Sequence, residues 1–326
     1  MSSTRAFRIN GAHLIVAWLL VIAAFGTLVS NPFVVTLAGY TSAFALFALS
    51  INVMLGGLGE VPLGQCVFFG LGAYAAAIGM KSFGLPFELA LLIAMAVSVA
   101  AAAVIGALTL KLTGAYFSIV SWGLTGVVLV AAMNLEHVTG GPLGIFGFPT
   151  ITFAGVDLSE PRGYFLVCAV LLVATVVVLA AVRDSRFGAA IESVRQNPHL
   201  ARSMGVDVFR QRLKAFMLSA PIAAMAGALC IPYTQIVTPE VFAVSNTVDA
   251  LLMVLLGGSR LLVGPVIGAM IFSIIPYFFN MDPNVRILIF SSAIILIMIF
   301  APGGLHQLMS AVADRFTGGR RAPSGI

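Results

Sequence analysis

From Leu14 to Gly59 the chain runs 46 residues without one Asp, Glu, Lys or Arg. The hydrocarbon core of a bilayer is about 30 Å thick, and a helix of ~20 apolar residues crosses it. The run is too long for one crossing, and the Asn31-Pro32 pair supplies the turn that divides it. Tyr164–Val182 and Leu89–Leu110 are likewise uncharged. The pattern predicts spans at about 13–30, 33–56, 62–80, 86–110, 115–133, 163–182, 215–236, 247–259, 261–280 and 286–302. The 247–259 segment is short for a full crossing. It reads as a half-helix or broken helix, tolerable only where protein covers its open backbone.

Of the 326 residues, 60% are hydrophobic and 9% charged. A soluble domain of this length cannot keep that much apolar surface from water. The apolar runs are continuous rather than alternating, which argues against a transmembrane β-barrel. The expected fold is all-α, a polytopic membrane helix bundle of about ten spans. It forms a single transmembrane domain over 1–326. The run 13–30 follows Arg5 and Arg8 as a signal peptide would. It lacks a small-x-small cleavage site followed by a soluble stretch, so an uncleaved first span is expected.

One polar island interrupts the apolar sequence. Residues 183–214 hold seven basic residues and three acids. Arg5 and Arg8, this loop, and Arg315, Arg320 and Arg321 in the tail (303–326) together carry twelve of the 17 Lys and Arg. Basic residues stay on the cytoplasmic side of a membrane. Ten crossings with Arg5 inside put the loop and both termini in the cytoplasm, with Lys111 and Arg260. Only Lys81, Arg162 and Arg286 fall outside. Basic residues that border apolar spans, rather than forming a soluble face, do not suggest nucleic acid. Within the island, Ile191–Pro198 reads as a helix stopped at Asn197-Pro198. His199–Gly205 reads as a second short helix ended by its glycine. Such an elbow suits insertion into a partner's groove.

Catalytic signatures are missing. His13, His137, His199 and His306 are scattered, and no HExxH, GxSxG, CxxC or P-loop occurs. Cys66, Cys168 and Cys230 each sit in an apolar run, without metal-ligand or disulfide spacing. No metal site and no enzyme activity are expected. Two acids border or enter apolar sequence, Glu60 and Asp249. A carboxylate in the bilayer costs roughly 2.5–3.5 kcal/mol and often marks a polar path. Glu60 sits among glycines that cannot form a plain helix, and Gln65 is the next polar group. Phe68 and Phe69 follow. These five residues are the candidate translocation path. The 33 glycines suit close helix packing. Gly59, Gly64, Gly70, Gly72, Gly140, Gly141, Gly257, Gly258 and Gly264 are the structural candidates. The segments 56–80 and 257–280 faintly echo each other.

Several stretches carry a family resemblance. They are Ala48–Gly59 (Ala-Leu-Ser-Ile-Asn-Val-Met-Leu-Gly-Gly-Leu-Gly), Leu63–Tyr74, Gly114–Phe117 with Thr139-Gly-Gly141, Arg195-Gln-Asn197 through Ala201 and Gly205, and Leu256-Gly-Gly258 with Gly264-Pro265 and Gly268-Ala269. In this order and spacing the chain resembles branched-chain amino acid ABC importer permeases, the M-type subunit of Liv-like systems. The resemblance covers roughly residues 40–305. It implies that 183–214 is the coupling loop to separate ATPase subunits, through Glu192, Arg195, Gln196, Asn197, Ala201, Arg202 and Gly205. It further implies a second, H-type permease, two ATP-binding cassette subunits, and a periplasmic solute-binding protein. ATP and Mg would sit on those partners, with no cofactor on this chain, and the location would be a bacterial inner membrane. Family members carry branched-chain amino acids, urea and short amides, or aromatic acids, and hydrophobic amino acids come first here. Glu60 stands where the family usually has Gln, Pro62 where it has Ser and Cys66 where it has Ala, and Ser259-Arg260 replaces part of a glycine-rich turn. Glu60 is expected either to face a cationic or neutral polar solute or to pair with a base such as Arg260. The alternative function is a lone ion-coupled transporter using Glu60 or Asp249.

Overall fold

The computed structural model describes residues 31–260 and 262–279, with isolated positions at 285, 288, 289 and 292. The expected first span, the tail at 303–326 and all of the tenth span but positions 288, 289 and 292 lie outside the described residues. Six helices among the described residues are long and apolar enough to cross a membrane. They are α1 (Pro32–Leu58), α2 (Cys66–Phe83), α3 (Phe87–Thr109), α4 (Ala115–Asn134), α6 (Pro161–Arg183) and α9 (Val208–Thr234). A one-turn helix α5 (Glu136–Thr139) follows α4. Between α6 and α9 lie α7 (Arg186–Gln196) and α8 (Pro198–Ser203), and two shorter helices, α10 (Val244–Gly257) and α11 (Gly264–Phe279), come last. The bundle is all-α and polytopic as expected. The described helices do not establish ten crossings.

Local chemistry sets these boundaries. The Asn31 side chain accepts from the N–H of Phe33, and Pro32 opens α1 at the first helical position. The α9 boundary differs from expectation. The helix begins at Val208, not near 215, because Asp207 caps it by accepting from the N–H of Arg210 (3.1 Å). Residues 208–214, with Arg210, Gln211, Arg212 and Lys214 among them, thereby become its first two turns.

The long helices alternate between two ends. At one, here the cap end, the segment between α5 and α6 folds over the bundle. There β1 (Ile145–Phe146) pairs antiparallel with β4 (Ile236–Val237), and β2 (Thr152–Phe153) with β3 (Val156–Asp157). Lys81 at the end of α2 donates to the Phe146 carbonyl (2.7 Å), and Glu88 at the start of α3 accepts from the Ala154 N–H (2.6 Å). The other end, the elbow end, carries α7 and α8.

At the centre, α9 crosses both α1 and α2. A Cβ on Gly72 would strike the Ala224 backbone, and one on Gly227 the carbonyl of Phe69, so backbone lies on backbone. Tyr164 of α6 lies over Gly39 and donates to the Leu229 carbonyl (3.0 Å). Phe47, Phe68, Phe117 and Tyr164 are fully enclosed.

α10 is a partial crossing. Its 14 residues rise about 21 Å, short of the bilayer core. The chain leaves α9 at the cap end, passes β4 and a 3-10 turn (Pro239–Phe242), and starts α10 well inside the bundle. The Phe242 ring stacks on Tyr74 (5.6 Å), and its carbonyl accepts from the Cys66 thiol (3.3 Å). The half-helix expectation for this region matches, with bounds moved to 244–257.

Substituting Gly227→Val should collapse the α2–α9 crossing, since the Phe69 backbone cannot yield, at a cost of about 1–3 kcal/mol or more. Gly123→Val, with open space before it, should be tolerated. Size-exclusion profiles and melting temperatures in detergent check the pair.

Candidate functional site: the elbow end

The elbow is built by caps. Ser185 accepts from the N–H of Gly188 to start α7 (3.3 Å). Asn197 ends that helix in extended conformation and caps α8, accepting from the N–H groups of His199 and Leu200 (3.0 and 3.1 Å). Gly205 takes φ +85°, which turns the chain toward α9. Ile191, Val194 and Ala201 are buried against the bundle. Leu200 and Met204 point away from it, 58% and 78% exposed, with Arg202 exposed between them. The elbow therefore has an inner face that grips the bundle and an outer face with unpartnered apolar and cationic groups.

The candidate coupling residues divide between these faces. Ala201 is a packing residue, and Asn197 and Gly205 shape the turn. Glu192 is exposed and accepts from the Gln196 amide (3.1 Å), with Arg195 at 3.5 Å. Leu200 and Met204 were not among the sequence candidates. Their signal was present as apolar residues in a polar loop, but only the cap geometry shows which way they face.

Below the elbow lies a buried ion pair. Arg212, in the second turn of α9, meets Glu60 in the break between α1 and α2 at 2.6 Å, and the side chains are 5% and 12% exposed. The same guanidinium donates to the carbonyls of Leu110 and Leu112 (2.6 Å for the latter) at the end of α3. Three segments, α9, the α1–α2 break and the end of α3, are thus tied at one point. Glu60 pairs with Arg212 and not with Arg260, because the early start of α9 carries Arg212 into the bundle. Burial pushes the Glu60 carboxyl above its usual value, against the pull of Arg212.

The other path candidates do not converge on one space. Gln65 is fully buried and donates to Ser50 (3.3 Å). Phe68 packs edge-on to Phe216 (5.1 Å). Asp249 is buried in α10. Phe69 packs on Phe47 (4.7 Å) and borders a small cap-end cavity of about 210 Å³ with Tyr40, Phe44 and Glu240. A larger chamber, about 800 Å³, opens at the elbow end between α1, α6, α7 and the turn after α10. Glu60, Gln65, Phe68 and Asp249 line neither. The glycine candidates do cluster at close approaches: Gly64 on Ser121, Gly70 on the Phe242 ring, and Gly257 on Gly264. Gly59, Gly140, Gly141 and Gly258 adopt positive φ at turns. Among the described residues no group of three His, Cys, Asp or Glu is placed to hold a metal.

Six apolar helices, backbone breaks covered by protein and an exposed polar elbow define a multi-pass membrane protein. Residues 33–301 match the model of the family described as "Branched-chain amino acid transport system / permease component", and the chain belongs to that family. It is 29% identical over 310 residues to the high-affinity branched-chain amino acid transport system permease protein LivM of Salmonella typhimurium, covering 88% of this chain and 73% of the relative. The Escherichia coli LivM is 28% identical over 314 residues, with 89% and 74% covered. A probable LivH permease of Methanocaldococcus jannaschii is 27% identical over 191 residues, 55% and 56% covered. No solved structure matches. The family is a transport permease component and not an enzyme class.

Arg212→Ala should destabilise the protein by about 3–5 kcal/mol, because it leaves a buried acid and two buried carbonyls without their partner. Glu60→Gln keeps an acceptor for the buried Arg212 guanidinium but removes its counter-charge, and should cost less than Arg212→Ala. The raised carboxyl value fixes the sign of the pH dependence: its contribution is complete below about 4.5 and is lost as pH rises through the raised value. Melting temperature against pH should show that decline in the wild type, and Glu60→Gln should abolish it.

Proposed function

We propose that this chain is the M-type membrane subunit of an ATP-driven importer that carries branched-chain or other hydrophobic amino acids into the cytoplasm. Membership of the permease family and the printed names of the LivM relatives support the transport class. The observation that carries the coupling role is the elbow, whose outer face offers Leu200, Arg202 and Met204 while its inner face is locked to the bundle. A rigid two-helix projection of this kind suits a partner's groove.

The partners in this reading are two ATP-binding cassette subunits docked on residues 183–214, an H-type permease beside this chain in the membrane, and a periplasmic solute-binding protein at the cap end. ATP and Mg belong to the cassette subunits. The basic elbow lies on the cytoplasmic side of the inner membrane, with both termini. The whole chain serves as one transmembrane domain, with 303–326 as its cytoplasmic tail. ATP-driven movement of the elbow enters α9 through Asp207 and reaches the α1–α2 break through Arg212 and Glu60. Tied to Arg212 as it is, Glu60 is poorly placed as the ion site of a lone transporter.

Leu200→Asp with Met204→Asp should leave membrane insertion intact while lowering ATPase co-purification and ATP-dependent leucine uptake at least tenfold in proteoliposomes holding the whole assembly. Uptake that persists without any ATPase, driven by an ion gradient, would overturn this reading.

A further inference from the structure

Two glycines build the elbow-end chamber. A Cβ on Gly56 would strike the Ser259 carbonyl and the Asn52 side chain, so only glycine lets the turn after α10 lie against α1. A Cβ on Gly188 would strike the carbonyls of Val182 and Arg183, so α7 folds tightly onto the end of α6. These approaches place Arg183, Arg195 and Arg260 on the wall of one chamber. A single acid, Glu192, stands among them. It lies 3.5 Å from Arg195 and is half exposed. The lining therefore carries a formal charge of +2, three Arg against one Glu. Among the described residues neither Arg183 nor Arg260 forms an ion pair. Leu49, Leu179 and Leu218 make the inner wall apolar. The cations come from α7 and from residues at or beyond the ends of α6 and α10.

Guanidinium groups gathered on one space repel one another unless an anion lies between them. Their planar fork matches phosphate oxygens in two-bond geometry. A basic pocket between membrane helices, apolar inward and cationic outward, fits an anionic headgroup with its acyl chains beside it. We propose that this chamber binds the phosphate of an anionic phospholipid, held by Arg183, Arg195 and Arg260. The occupant would bridge α7 to α1 and to the turn after α10, bracing the elbow against the bundle. Lipid binding itself does not depend on the proposed transport function. A role in coupling does.

The test uses the full chain, stripped of lipid in detergent and then offered phosphatidylglycerol, phosphatidylcholine or inorganic phosphate. Retained lipid is read by native mass spectrometry, and stability by melting temperature. Phosphatidylglycerol should be retained at a fixed stoichiometry and should raise the melting temperature, and phosphatidylcholine should do neither. A chamber variant (Arg183→Gln, Arg195→Gln, Arg260→Gln) should lose retention at least tenfold. A variant with equal charge loss outside the chamber (Arg186→Gln, Arg202→Gln, Arg210→Gln) should keep it. If the triple chamber variant fails to fold, Arg260→Gln alone, on a surface turn, should still weaken retention severalfold. Equal loss in both triple variants would reduce the effect to general surface charge and overturn the proposal. So would unchanged retention in the chamber variants. Protection by inorganic phosphate without lipid retention would assign the site to a free anion and overturn the lipid source. Loss of ATPase co-purification with lipid retention unchanged would assign the arginines to a protein contact, and would also overturn it.

Discussion

Backbone groups inside a bilayer have no water to bond, so every interruption of a helix there must be closed by protein. Among the described residues the helices are interrupted twice within the bundle, before α2 and before α10, and much of the packing serves those two places. At the first break the Val61 carbonyl accepts from Ser118 (2.8 Å), the Gln65 N–H reaches Pro62 (3.2 Å), and the Cys66 N–H reaches the Thr247 hydroxyl (3.1 Å). At the second, the Asn246 amide donates to the carbonyls of Glu240 and Val241 (3.0 and 3.3 Å). Cys66 and Thr247 join the two breaks directly. The starts of α2 and α10 therefore form one structural unit, and neither could be closed in the same way without the other.

The Arg212–Glu60 pair belongs to the same logic. The break before α2 leaves the loop after α1 outside any helix, and α3 ends close by. One guanidinium, with donors in a fixed fork, can hold a carboxylate and two carbonyls at once. An apolar side chain could fill that space but could not fix the register of three segments. Desolvation works against the pair, and the raised Glu60 value reflects it. What the pair contributes is position rather than net stability.

Much of this was legible in the sequence. Among the described residues the apolar runs marked the long helices to within a few residues, except at the start of α9. Asn31-Pro32, Asn197-Pro198 and Gly205 marked turns for reasons that are local and hold in any fold. The 247–259 segment read as short for a full crossing, a half-helix or broken helix, and the structure places a 14-residue helix there at Val244–Gly257. The ion pair was not legible, because Glu60 and Arg212 are far apart in sequence and Arg212 looked like one more cation in a solvated loop. Its burial depends on where α9 begins, which Asp207 decides by a single cap. That Glu60, Gln65, Phe68, Phe69 and Asp249 do not line one shared cavity was not legible for a related reason. Polarity in an apolar run shows that a group needs a partner, but not whether that partner is a solute or another segment of the chain. The chamber lay beyond reach as well, since its cations come from three separate segments brought together by Gly56 and Gly188.

The helix α9 connects these features. Its first turns carry the cap that ends the elbow and the arginine that holds the α1–α2 break. Its middle lies backbone-to-backbone on α2 at Gly227. Its end feeds β4 and the segment that enters the bundle to start α10. Contacts this close leave no room for side chains to absorb a displacement, because packed interiors shift between arrangements rather than deform continuously. Pro221 and Pro232 lie within the helix, and each removes one backbone hydrogen bond. Bending is therefore easiest between the elbow-proximal turns and the crossing, and again near the cap. A push on the elbow would then move the first segment of α9 together with the Glu60 break and the start of α2, while the Gly227 crossing acts as the pivot. The two joined breaks lie on opposite sides of that pivot in the chain, one reached through Arg212 and the other through the end of α9. On the proposed coupling role, motion at the elbow would thereby reach the place where α2 and α10 begin.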